Sequence, residues 1–246
     1  EMKFERIVPG VNVSRRDREA IELALMQTDL IQTSFTNIHG DKEELMRRLR
    51  DIKRLTVTLV DDSGSYKNVY KLKIKPGKDK IEKGKDIICL KVLMEIDYVE
   101  FPDLLRHDDA LIKRMNQTAR EMHEKDPWLH PPIGGDWKVA ITGGRMVRII
   151  TEGFVEGRTE RQLEDLLKKE LERKKANFKE EVNSLERDFV EVIAKLRAQA
   201  CARYITMWDI LDRKVFIEDP KPENIIFSDT AKTATGEKRS SIIDID

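Results

Sequence analysis

The segment Ile217-Glu218-Asp219-Pro220-Lys221-Pro222-Glu223-Asn224-Ile225-Ile226-Phe227 sets an aspartate five residues before an asparagine, with a lysine two residues after the aspartate. Three apolar residues follow directly, and another aspartate, Asp244, stands after Ser241-Ile242-Ile243. Carboxylate and amide oxygens suit a hard divalent cation, a lysine suits an anion, and an aspartate can orient or deprotonate a hydroxyl. Phosphoryl transfer asks a protein for that set, because its contribution is positioning and electrostatics. An ordinary proline-rich turn would account for the loop but not for the downstream Asp244.

The string Lys221-Pro222-Glu223-Asn224 behind Asp219 resembles the catalytic loop of Ser/Thr protein kinases, and Asp244 resembles the metal aspartate of the Asp-Phe-Gly motif. The resemblance implies an ATP-dependent transfer of the γ-phosphoryl group to a hydroxyl. Asp219 would orient or deprotonate the acceptor, Lys221 would neutralise the moving phosphoryl group, and Asn224 and Asp244 would hold Mg²⁺, with Mn²⁺ as a substitute. A Ser or Thr of a protein is the implied acceptor, because Lys221 follows Asp219 at the Ser/Thr-kinase spacing. Two departures stand out. Ile217-Glu218 replaces the His-Arg ahead of the aspartate, which removes the arginine that would receive an activation-loop phosphate, and Asp246 stands where the final glycine belongs. The sequence starts on Glu1, which reads as trimmed, and stops at Asp246. It is either a minimal kinase, similar to short atypical bacterial effector kinases, or a chain cut after the metal motif.

Upstream features of the family follow in order. Gly64-Ser65-Tyr66-Lys67-Asn68-Val69 resembles the glycine-rich loop, with Gly64 as its middle glycine, Tyr66 at the tip and Val69 over the adenine; Asp62 and Lys67 replace the flanking glycines. Ile88-Cys89-Leu90-Lys91-Val92-Leu93 resembles the strand whose lysine grips the α- and β-phosphates. A lysine among apolar residues on a central strand is costly unless it is paired. Glu121 on the following helix is the expected partner, with Glu124 as the fallback. Thr151 resembles the gatekeeper, and backbone groups from Glu152 to Phe154 would bind the adenine edge.

Pattern alone organises the rest. Helices are expected at 15–28, capped by Ser14, and at 41–52. Strands are expected at 55–60, 69–74, 87–93, 137–142 and 146–150, with an amphipathic helix over 108–125. Residues 160–207 contain no proline or glycine and are dense in Glu, Lys and Arg, which reads as one protruding helix or a helical hairpin. The fold class is α+β: a bilobal, kinase-like arrangement with a helical N-terminal extension (1–53), a five-stranded upper lobe and hinge (54–157), and a reduced, mainly helical lower lobe (158–246).

Lys plus Arg and Asp plus Glu both number 46, so no global positive field favours a nucleic acid or an anionic membrane. No apolar run reaches the length of a bilayer span, and Glu1 to Arg6 is not a signal peptide. Cys89 and Cys201 have neither metal-ligand spacing nor disulfide density, which suits a reducing compartment. The expectation is a cytosolic protein, either of its own cell or, as an effector, of a host. A protein substrate is the expected partner, and the charged segment 160–206 offers a surface to an activating protein. A small-molecule or lipid kinase would share every nucleotide-binding residue, and a pseudokinase scaffold would use 160–206 for contact; both stay open as alternatives.

Overall fold

The computed structural model describes residues 7–9, 13–40, 42–49, 52–61, 67–76, 81–93, 109–211 and 222–243. The chain divides into two compact units: residues 1–113 with 132–154, and residues 114–131 with 155–246. The architecture is mixed α/β.

Unit one is built on a sheet ordered β1-β2-β3-β4-β6-β5. Strands β2 (Ile52–Asp61), β3 (Lys67–Pro76), β4 (Ile87–Leu93), β5 (Ile133–Ala140) and β6 (Met146–Glu152) are antiparallel neighbours, and β1 (Ile7–Pro9) adds a parallel edge beside β2. The five strands expected from sequence are all present, with β5 starting earlier than the pattern suggested. Alternation along them sorts side chains onto two faces. Leu55 and Val57, Tyr70 and Leu72, Ile88, Leu90 and Val92, and Val147 and Ile149 point to one face. Helices α1 (Arg15–Gln27), α2 (Leu30–His39) and α3 (Lys42–Leu49) cover that face with Ala20, Ile21, Ala24, Leu25, Leu30, Ile31, Phe35, Leu45 and Leu49. Residues 13–49, read from sequence as an extension, thus share a single core with the sheet.

Helix α2 was not expected. Leu30, Ile31, Ser34 and Phe35 form its buried stripe, but Thr33, Ser34, Thr36 and Asn37 are mediocre helix formers, and only packing stabilises it. Gly134 lets α2 come close: a Cβ there would lie 2.3 Å from Thr151 Oγ1 and 3.2 Å from the Ser34 Cα. A buried polar knot also fixes α1 to the sheet. Asp17, fully buried, accepts from Arg16, from Asn68 Nδ2 at 2.7 Å and from the Tyr70 hydroxyl at 2.5 Å, while Ser14 caps the helix through the Asp17 N–H.

Unit two takes most of α4 (Asp109–Lys125), a helical hairpin of α5 (Glu160–Asn177) and α6 (Val182–Ile210), and a sheet of β7 (Gly157–Thr159), β8 (Ile225–Lys232) and β9 (Lys238–Ile242). Phe178 and a 3₁₀ turn over Lys179–Glu181 join the two long helices, and Glu164–Arg197 and Lys175–Glu186 pair across them at 2.9 and 2.7 Å. The hairpin is therefore the form taken by the long charged segment. Its start is set by a capping box in which Thr159 and Gln162 satisfy each other's backbone N–H groups. Met122, Leu129, Ala200, Met207, Leu211, Ile225, Phe227 and Ile242 make the core.

Glycine at 157 is a steric requirement, since a Cβ there would lie 2.0 Å from the Phe227 carbonyl oxygen in the β7–β8 ladder. Gly157→Ala should destabilise unit two by about 1–3 kcal/mol, read as a lowered urea midpoint with an unchanged slope. Burial raises the Glu160 carboxyl above the usual range. A raised carboxylate keeps its stabilising, protonated form below its unfolded value and loses that stability as pH climbs through the folded one. Glu160→Gln should therefore gain stability relative to the parent as pH rises from about 4 to 7. A constant difference in urea midpoint across that range would contradict this.

Candidate functional site

The second face of the unit-one sheet gathers charged side chains. Register sets Val69 opposite Lys91 and Lys91 opposite Ile150, with Asp136 next in the row. A neighbouring row holds Lys71, Cys89 and Glu152, and the row on the other side holds Lys67, Leu93, Arg148 and Lys138. Period-two alternation explains the grouping, because each of these residues is an even number of positions from its neighbour on the same strand.

Lys91 Nζ lies 2.8 Å from Glu152 Oε1, with the two side chains 11% and 5% exposed. Sequence reading gave that partnership to Glu121; the structure gives it to Glu152, one strand away and two residues beyond the register position of Lys91. Glu121 is an exposed residue of α4. A diagonal cross-strand pair needs no helix to be positioned, and a lysine ammonium this deeply buried is held close to the nearest carboxylate on its own face. Thr151 is the residue that resembles the gatekeeper. It points to the helix-covered face, where its hydroxyl meets Ser34 Oγ at 2.7 Å, so the residue that shares the Lys91 face at the end of β6 is Glu152 rather than Thr151.

Of the other expected site residues, Val69 and Glu152 share the face of Lys91, and Phe154 follows on from β6, half-buried, with Lys71 Nζ 5.1 Å from its ring centroid. Glu152 lies in the ladder between Cys89 and Ile133, and the Gly153 N–H donates to the Pro132 carbonyl at 2.8 Å. The Gly153 donor is therefore already engaged by the protein. Gly64, Tyr66, Asp219, Lys221 and Asp244 lie outside the described residues.

Pattern reading missed Lys71, Asp136, Lys138 and Arg148; even spacing from Val69 and Glu152 on their own strands was a signal for Lys71 and Arg148, whereas Asp136 and Lys138 reach the face only through the register of β5 with β6. Arg148 is 8% exposed and pairs with Asp109 at 2.7 Å and Asp136 at 2.9 Å; Lys138 also donates to Asp109. The Arg148–Asp136 approach is close but poorly aligned, so Arg148 Nε and Nη1 and Asp136 Oδ1 make no hydrogen bond. Burial raises the Asp136 carboxyl, with Arg148 pulling it back, whereas the Lys138 hydrogen bond holds Asp109 below the usual range. The Cys89 thiol, buried beside Glu152, is pushed up to about 12 and is not a nucleophile near neutrality. Among the described residues, Lys67, Lys71, Lys73, Lys75, Lys91, Lys138 and Arg148 alternate onto this face and outnumber its carboxylates Glu152, Asp136 and Asp61, with Asp109 at its margin, a balance suited to an anionic ligand.

In unit two, Asn224 ends a 3₁₀ turn over Pro222–Asn224 and leads straight into β8. Ile225 is in register with Ile242, and the Ile243 N–H donates to the Asn224 carbonyl at 2.9 Å. The hairpin thereby brings together two chain segments that lie far apart in sequence, the asparagine and the residue immediately before Asp244. Arg161 holds Glu223 at 3.0 Å. Among the described residues no group of three or more His, Cys, Asp or Glu side chains is placed to hold a metal ion.

No protein-family model matches the chain, and no curated protein does. Among solved structures it is similar to the kinase domain of Mycobacterium tuberculosis PknI, at 14% identity and a TM-score of 0.37, over 78% of this chain and 59% of that one. The chain thus spans about three-fifths of the length of that domain. Among the described residues no helix is long and apolar enough to cross a membrane.

Removing one member of the buried pair leaves the other charged and unmatched. Lys91→Met should cost about 3–5 kcal/mol of unfolding free energy, and Glu152→Met introduced on top of it should recover most of the loss. Additive losses in the double variant would mean that the two side chains do not depend on each other.

Proposed function

We propose that this chain is a kinase-like phosphotransferase that moves the γ-phosphoryl group of ATP to a hydroxyl, most specifically a Ser or Thr of a protein. The observation that supports the reading is the β8–β9 hairpin, whose Ile243 N–H donates to the Asn224 carbonyl; Asp244 is the next residue in the sequence. An amide oxygen and a carboxylate are hard donors that fit Mg²⁺, which prefers oxygen ligands and keeps several waters. Bound there, the ion would supply charge neutralisation between the phosphates.

Lys91 is the residue for the α- and β-phosphates, and Glu152 keeps its ammonium on the face shared with Val69 and Phe154. The surrounding cations support an anionic ligand on that face. Asp219 orients or deprotonates the acceptor hydroxyl, and Lys221, two residues on, offsets charge on the transferring group. The kinase loop string supports a protein acceptor; phosphorylation of an inositol phosphate or an aminoglycoside but not of protein would replace it with a small-molecule one.

Two variants separate the roles. Asp219→Asn should leave Mg-ATP affinity near that of the parent and lower turnover by roughly 10²-fold or more, since it touches the acceptor and not the nucleotide. Asp244→Asn should weaken Mg²⁺-dependent nucleotide binding as well as turnover. Calorimetric titration with Mg-ATP, together with mass spectrometry of protein incubated with Mg-ATP and a cell lysate, reads both. Absence of nucleotide binding by the parent chain would overturn the proposal.

A further inference from the structure

The three-stranded sheet of unit two has two edges, and among the described residues only one of them is closed by neighbouring chain. At β9 the Ile242 N–H donates to the Leu129 carbonyl at 2.8 Å and the Ser241 hydroxyl donates to the Trp128 carbonyl at 2.7 Å. Strand β7 is the other edge. The Asp229 N–H donates to the Glu156 carbonyl at 3.1 Å, so antiparallel alternation gives the next ladder bonds to Arg158 and Phe227. Gly157, between them, turns its N–H and C=O away from β8.

Beside that edge, wholly within unit two, lies a groove of about 470 Å³, lined by Gly157 and Arg158 on the strand and by Gln162, Asp165, Leu166 and Lys169 on α5. The Pro222–Asn224 turn meets α5 elsewhere, through Arg161 and Glu223 at 3.0 Å, and neither of these residues lines the groove. Leu166, 46% exposed, is the single apolar side chain in that lining. Lys169 is exposed and forms no ion pair among the described residues. Arg158 reaches Asp229 only at 3.5 Å, and both partners are exposed, so the pair holds it weakly. The capping box already engages the Thr159 and Gln162 N–H groups, which leaves the strand edge rather than the helix end as the source of open backbone groups.

We propose that the β7 edge takes an extended, acidic segment of a partner protein as an added strand, with α5 as the second wall. The open N–H and C=O of Gly157 call for a polypeptide backbone, which a nucleic acid or a small anion does not supply. Arg158 and Lys169 call for carboxylates, and Leu166 calls for one apolar side chain. Asp165 makes a uniformly acidic guest unfavourable, so the guest's carboxylates belong beside the two cations and its apolar residue against Leu166. The same cations deter wholly apolar strands from pairing with the edge, and its three-residue length keeps it from acting as a general template.

Fluorescence anisotropy on the full chain tests this without nucleotide present, so the outcome does not depend on phosphotransfer. The probe is an acetylated, labelled eight-residue peptide in which glutamate alternates with valine, and circular dichroism checks that each variant keeps its helix content. The parent should bind the peptide saturably. A strand pairs through one of its edges, so N-methylation of one alternate set of peptide amides should weaken binding by about tenfold or more, while methylation of the other set changes it little. Lys169→Glu should weaken binding by about tenfold and turn the preference toward a peptide with lysine in place of glutamate, and Leu166→Asp should weaken it as well. A parent that does not bind the acidic peptide, equal losses from the two methylated sets, or a Lys169→Glu variant with unchanged preference would overturn the proposal.

Discussion

A lysine ammonium enclosed by the middle of a sheet must be matched by negative charge, and Glu152 supplies it at 2.8 Å from Lys91. The cost of burying either ion alone far exceeds what one strand pair contributes, so the match constrains everything around it. It fixes which face of β4 and β6 is polar. It turns Thr151 to the opposite face, where Ser34 of α2 receives it. It also leaves the helix-covered face to apolar side chains alone along β4, where Ile88, Leu90 and Val92 are fully buried.

The polar face is correspondingly demanding. Arg148 sits between Asp109 and Asp136 with hydrogen-bonding capacity unused, and Lys67, Lys71 and Lys138 stand in the same rows. Glu152, Asp136 and Asp109 offset Lys91, Arg148 and Lys138, so much of the positive charge on this face is matched within the protein. The Lys91–Glu152 pair is the most deeply buried of these matches.

Unit two solves a different problem with tight backbone geometry. Its three-stranded sheet is small, and β7 can approach β8 only because residue 157 has no side chain. That approach, with Ile225, Phe227 and Ile242 buried beneath, fixes the hairpin that carries Asn224 at one end and Ile243 at the other. The α5–α6 hairpin covers the same core with one side of α6 and leaves the other side apolar and exposed.

Local pattern was enough for much of this. Period two located β2, β3, β4 and β6, Ser14 announced α1, and the absence of glycine and proline from 160 to 207 announced long helices, because backbone propensity and alternation act over a few residues. The Thr159–Gln162 box carried equally local information about where α5 begins. The string Asp219 to Asn224 with Asp244 behind it carries the kinase-like resemblance by itself, since that resemblance depends on residue types and spacing alone. What sequence could not contain was the choice among carboxylates: Glu121, Glu124 and Glu152 are equivalent as residue types, and only strand register puts Glu152 on the face of Lys91. Nor could it reveal α2, whose weak propensity is overridden by the groove that Gly134 opens against the sheet. Propensity is set by each residue and its near neighbours and can be read along the chain, whereas pairing and burial depend on which strands become adjacent, and that is decided only when the chain folds.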